Sequence, residues 1–115
     1  MEEILTQYTY HSPLEVEVVL DSRAQRRKVV KAALVREAID KFIGDYNPQD
    51  PDKIKQWSPE RRPEGMPMRS VYLYPSQYTA LTNIAEKQGN IFGKELNASD
   101  AIRSAVVEYL GIIPR

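Results

Sequence analysis

The chain has 115 residues, 42% of them hydrophobic and 28% charged, the balance of a globular protein with room for one ordinary domain or two very small units rather than of a disordered chain. Lys and Arg number 16 and Asp and Glu 16, so the formal net charge is zero and affinity for a polyanion has to come from local clusters, not from a whole-molecule field. No cysteine and a single histidine rule out a disulfide framework and a thiolate metal site and leave zinc without a ligand set, which suits a reducing compartment and calls for no cofactor.

No apolar run approaches the roughly 18 residues of a membrane span, and the opening MEEILTQY is acidic where a signal peptide needs positive charge. The expectation is a protein with no membrane partner in the cytoplasm, at the nucleoid or in the cytoplasm of a host.

The first predicted element is a short strand, Gln7-Tyr8-Thr9-Tyr10-His11. Ser12-Pro13-Leu14-Glu15 follows as an N-cap, a proline at the first helical position and a glutamate reaching back. Leu14 to Leu20, LEVEVVL, has two readings. Its valine density and alternation favour a strand; the repeat described below requires a helix there, because a strand would leave only the 13 residues 21–33 before the next matched helix. That next helix is LVREAIDKFIG, Leu34 to Gly44. Gly44 to Pro67 then reads as an extended linker, with Pro48, Pro51, Pro59, Pro63 and Pro67 among polar residues, and Ile54 and Trp57 as anchors for its middle. Trp57 suits an anchor better than a base-stacking platform.

The second half repeats the order. Met68 to Tyr74 alternates with β-branched and aromatic residues, and Pro75 opens a helix. Tyr78, Leu81, Ile84 and Ala85 fall at helical spacing, and Gly89 reads as the stop. A further helix opens at Asn97, a cap with Asp100 three places on, and carries Ala101, Ile102, Ala105, Val106, Tyr109 and Leu110 as one stripe closed by Gly111.

These residues resemble the ribbon-helix-helix family of DNA-binding repressors, the Arc and MetJ type. The resemblance covers about 43 residues, Met68 to Leu110, and rests on Val71 and Leu73 in the strand, Leu81, Ile84 and Ala85 in the first helix, Gly89 at the turn, and Ile102-Arg103-Ser104-Ala105 in the second helix. It departs in the six residues Asn90 to Glu95, which read as an insertion in the turn.

The same pattern overlies the first half. An offset of 67 carries Leu34–Gly44 onto Ala101–Gly111, matching Arg36 with Arg103, Ala38 with Ala105 and Phe42 with Tyr109. Upstream the offset is 61, which carries Leu20 onto Leu81, Ala24 onto Ala85 and residues 7–11 onto 68–72. Ser12 stands in place of Leu73, Arg23 of Ile84, and Lys28 of the turn glycine. The expected fold is mainly α with a two-stranded antiparallel β-ribbon: tandem ribbon-helix-helix units, 1–43 and 68–115, joined by the linker 44–67 and sharing one core. A unit of about 45 residues buries too little apolar surface to fold alone, and a lone strand cannot satisfy its backbone, so each unit needs the other. The pairing is available within one chain or, by swapping, between two.

Alternation sends Tyr8, Tyr10, Val71 and Leu73 inward and leaves Gln7, Thr9, His11, Met68, Ser70 and Tyr72 outward. A two-stranded ribbon fits the major groove, where Gln7 would pair with adenine, Thr9 and Ser70 with base edges, and Met68 or Tyr72 with a thymine methyl. A solvated surface is the plainer reading of that face. The resemblance places phosphate contacts at the start of each second helix, at Asn97, Ala98 and Ser99 and at Lys31, Ala32 and Ala33, where free amides and the helix dipole attract an anion. The run Arg23, Arg26, Arg27, Lys28, Lys31 leads into the latter, and Arg61, Arg62 and Arg69 are further candidates. Arg69 points inward by alternation, so a phosphate contact requires it to snorkel. Arg36 and Arg103 are expected in structural ion pairs.

Nothing supports catalysis: there is no glycine-rich phosphate loop, no nucleophile elbow and no partner carboxylate at fixed spacing from His11. Asp45, Asp50 and Asp52 do not follow a calcium-loop pattern. The expected function is a sequence-specific regulator of transcription, a repressor, bound to double-stranded DNA and able to assemble there as a homodimer or larger. The alternatives are an antitoxin that represses its own operon, for which Ile112 to Arg115 leave little tail to wrap a toxin, and a protein-interaction module without DNA binding.

Overall fold

The computed structural model describes residues 2–47, 49 and 66–111. In chain order these form β1 (Thr6–His11), α1 (Leu14–Arg27), α2 (Lys31–Asp45), β2 (Met68–Leu73), α3 (Pro75–Phe92) and α4 (Ala98–Leu110). The protein is therefore mainly helical with a two-stranded antiparallel sheet, as anticipated. Ile54 and Trp57, named as linker anchors, and Arg61 and Arg62, named as candidates for phosphate contact, lie outside the described residues.

The strands pair within the one chain. Thr6 faces Leu73, Gln7 faces Tyr72, Tyr8 faces Val71, Thr9 faces Ser70, Tyr10 faces Arg69 and His11 faces Met68. The Ser12 amide donates to the Pro67 carbonyl at 3.1 Å, which identifies residue 12 as a hydrogen-bonded position of the ladder. Antiparallel pairs alternate, so Tyr10, Tyr8 and Thr6 take the ladder bonds. The backbone groups of His11, Thr9 and Gln7, and of their partners Met68, Ser70 and Tyr72, point away from the opposite strand.

Leu14–Arg27 is a helix, which settles the two readings of LEVEVVL. Its buried residues are Val16, Glu17, Leu20 and Ala24 while Val18 is 56% exposed, the spacing of a helical stripe; a half-buried strand would have hidden 14, 16, 18 and 20 alike. All four helices feed one cluster, with Leu20, Leu34, Ile39, Leu73, Leu81, Ala85 and Ile102 fully buried in it. Each such Leu or Ile contributes about 1.5–3 kcal/mol by leaving water, and the two layers, ribbon over helices, give neither strand nor helix pair a core of its own.

Three boundaries differ from expectation. Ser12 does not cap α1: it stays in the ladder, buried, and Pro13 is the N-cap with no side-chain bond. Gly89 does not end α3, which continues through Asn90, Ile91 and Phe92 to a left-handed cap at Gly93 (φ 66°). The reason for glycine at 89 is close approach, since a Cβ there would lie 2.5 Å from the Lys94 carbonyl oxygen as the chain turns back. Half of the supposed insertion, Asn90 to Phe92, is thus helix. Gly44 lies within α2, which runs on to Asp45, and Tyr46 beyond it packs on the core while its hydroxyl donates to Gln88 Oε1 at 2.9 Å.

Candidate nucleic-acid interface

The ribbon has a dry face and a wet face. Tyr10, Val71 and Leu73 are at most 4% exposed, whereas Met68 and Tyr72 are 63% and 50% exposed. Gln7, Thr9 and Ser70 are exposed as well and His11 is half-buried. The six side chains named for base contact therefore share one surface, with the Thr9 and Ser70 pair at its middle.

Underneath, the two ends of the ribbon are filled differently. At one place the Tyr8 and Tyr78 rings stack with centroids 4.1 Å apart. At another, the Glu17 carboxylate is only 3% exposed and gathers the Tyr10 hydroxyl at 3.3 Å, Lys31 Nζ at 2.7 Å and Arg69 Nε at 3.7 Å. Burial, then the charge of Glu17 and its hydrogen bond, push the Tyr10 phenol well above its ordinary pKa. Glu17 escaped notice in the sequence, yet the signal was present: it shares a helical stripe with Leu20 and Ala24, three and seven residues on.

Both flanking edges of the ribbon are held by arginines. Arg103 Nη1 donates to the His11 carbonyl at 3.0 Å and Nη2 to Asp100 Oδ1 at 2.6 Å. Arg36 Nη1 donates to the Tyr72 carbonyl at 2.9 Å. An ion pair was expected of both; Arg103 makes one, whereas Arg36 has none among the described residues and serves a backbone oxygen instead. The His11 amide in turn donates to Ser99 Oγ at 2.9 Å.

The residues named for phosphate contact are dispersed in their allegiances. Arg27 donates to Glu37 at 2.9 Å and to the Tyr109 hydroxyl at 3.0 Å; the hydrogen bond to Arg27 holds the Glu37 carboxyl below the usual carboxylate range. Lys31 bridges Glu17 and Asp21, and Arg69 lies under the ribbon against Glu17. Arg26 and Lys28 are exposed at the end of α1, with no ion pair found among the described residues. Lys28 caps that helix in the left-handed region at φ 56°. Asn97 caps α4 by accepting from the Asp100 amide at 3.1 Å, Asp100 returns a bond to the Asn97 amide at 3.0 Å, and Ala98 is buried. Arg23 donates to the Leu110 carbonyl at the far end of α4, where a cation complements the helix dipole.

Elsewhere, Glu3 anchors the amino-terminal arm on the first turn of α3, accepting from the Ser76 amide and hydroxyl at 2.7 Å each. Among the described residues no helix is long and apolar enough to cross a membrane. No protein-family model, curated protein or solved structure matches the chain.

Proposed function

We propose that the chain is a sequence-specific double-stranded DNA-binding regulator of transcription, a repressor, that reads the major groove with the outer face of its ribbon. The observation that carries this is the strand register, which gathers Gln7, Thr9, His11, Met68, Ser70 and Tyr72 on one exposed surface narrow enough for the groove. In this reading the chain is two ribbon-helix-helix units in tandem. Support comes from the matched helix starts: Pro13 and Tyr74 are N-caps at an offset of 61, and Val30 and Asn97 are N-caps at an offset of 67. The same offsets carry the Arg36 contact with Tyr72 onto the Arg103 contact with His11, and Thr9 onto its own partner Ser70. The central pair then marks a local pseudo-dyad.

Because the two strands differ in sequence, the target within one ribbon's footprint is non-palindromic, and palindromy enters only when two chains associate on DNA. Arg26 and Lys28 supply phosphate contacts directly, and Lys31 exchanges part of its ionic contact for phosphate. Selection of bound duplexes from random DNA tests the reading. Wild type enriches a short asymmetric sequence, and Gln7→Ala and Tyr72→Ala alter base preference at one end of it. No enrichment, or binding that salt leaves unchanged, contradicts it. Zero net charge and the internal use of Arg27, Lys31 and Arg69 favour, as a second reading, an interaction module that binds no DNA.

A further inference from the structure

The side chains on the outer face belong to residues whose own backbone groups point sideways toward α2 and α4, so whatever grips that backbone aims the reading side chains. The grip is unequal. At the His11 and Met68 end, the His11 amide donates to Ser99 Oγ at 2.9 Å and its carbonyl accepts from Arg103 at 3.0 Å. Arg103 is itself buttressed by Asp100 at 2.6 Å, within the capping box that Asn97 and Asp100 form. At the Gln7 and Tyr72 end, Arg36 holds the Tyr72 carbonyl at 2.9 Å on an exposed surface. The counterpart of Ser99 at an offset of 67 is Ala32, which has no hydroxyl to offer, and among the described residues no side chain accepts from the Tyr72 amide.

We infer that Ser99 and Arg103 are positioning residues for strict base reading at the His11 and Met68 end, and that the Gln7 and Tyr72 end, where among the described residues the Tyr72 backbone is held by side chains only at its carbonyl, is the permissive end of the DNA site. The inference rests on the DNA-reading proposal and adds to it a polarity of specificity. Strictness follows from preorganisation: a backbone held at both its amide and its carbonyl fixes the direction of its side chain before DNA arrives, whereas one held at the carbonyl retains a rotation that lets the side chain meet more than one base.

The test uses the full chain in three forms, wild type, Ser99→Ala and Ala32→Ser, each first shown by thermal unfolding to be folded. Amide hydrogen exchange without DNA is read at His11 and Tyr72, and base preference at each end of the selected duplexes. Wild type is expected to protect His11 more than Tyr72 and to discriminate bases more sharply at the end bound by His11. Ser99→Ala lowers His11 protection and the preference at that end about fivefold, the worth of one neutral hydrogen bond, with no change at the other end. Ala32→Ser raises Tyr72 protection and sharpens only the Tyr72 end. Equal strictness at both ends of the wild-type site, or variants that change affinity uniformly, overturns the inference and leaves DNA reading intact. Failure of wild type to enrich any duplex overturns both, with the exchange pattern then describing the scaffold alone.

Discussion

Two places beneath the ribbon exchange under the offset of 61: Tyr8 and Tyr78 at one, Arg69 and Glu17 at the other. The first is a pair of stacked rings 4.1 Å apart. The second is a carboxylate at 3% exposure, ringed by a phenol and two cations. Stacked aromatics bury area and need nothing further. A buried carboxylate is tolerable only while its partners stay in place, and removing it strands the cations it neutralises. The first half of the chain carries other unrelieved features too: a lysine in the left-handed region at φ 56°, where the second half has Gly93, and a helix opened by Val30, where the second half has Asn97. The second half is the locally consistent one, and the first is held in shape by what it packs against.

Breaking the ionic site gives the largest effect. Glu17→Ala should cost about 3 kcal/mol in urea unfolding, toward the low end for a buried pair because Lys31 and Arg69 are partly exposed. Little or no loss would show that the carboxylate is incidental and the two sites energetically alike. Next comes the close approach of the Lys94 carbonyl to Gly89 in the second half. Gly89→Ala forces a Cβ against the Lys94 carbonyl oxygen at 2.5 Å and should cost about 2 kcal/mol, whereas Gly44→Ala, open within 4 Å and inside α2, should stabilise by about 1 kcal/mol.

Alkaline pH probes the same contrast through Tyr10. Its folded pKa lies above the unfolded one, so its contribution is complete below the ordinary tyrosine range and is lost as pH rises beyond it. The Tyr10 part of the slope, at most about 1.4 kcal/mol per pH unit, should appear in unfolding series at rising pH and make the slope smaller in Tyr10→Phe; an unchanged slope in that variant would place its origin elsewhere. The smallest effect sharpens the comparison by repair. Lys28→Gly relieves a left-handed lysine and should raise stability by about 1 kcal/mol, detectable as a higher melting temperature.

Much of the architecture was legible because local signals agreed. Alternation in Met68–Leu73, Pro75 after it and the Asn97 and Asp100 pair mark strand, helix and helix, and the spacing of Gln7 to His11 against Met68 to Tyr72 yields the register observed. Ser12 misled because a capping residue and a final strand residue look alike until the Pro67 carbonyl supplies a partner. Gly89 misled because a glycine demanded by a passing carbonyl is indistinguishable in sequence from one demanded by a turn. For the interface, the outward six follow from a period of two, while the ring around Glu17 and the arginine grips on His11 and Tyr72 join residues far apart in the chain. The matched placement of Arg36 and Arg103 hinted at the grips, and the place of Glu17 on the Leu20 and Ala24 stripe at the ring.

Reading the major groove with the ribbon is tested most directly by methylation interference on selected duplexes bound by the intact chain. Methyl groups on guanine N7 project into the major groove, and those on adenine N3 into the minor groove. Direct reading by strands of six residues predicts that N7 methylation blocks binding within about five base pairs, the reach of roughly 17–20 Å of strand, while N3 methylation there does not. Binding indifferent to N7 methylation, or blocked from the minor groove, would contradict it.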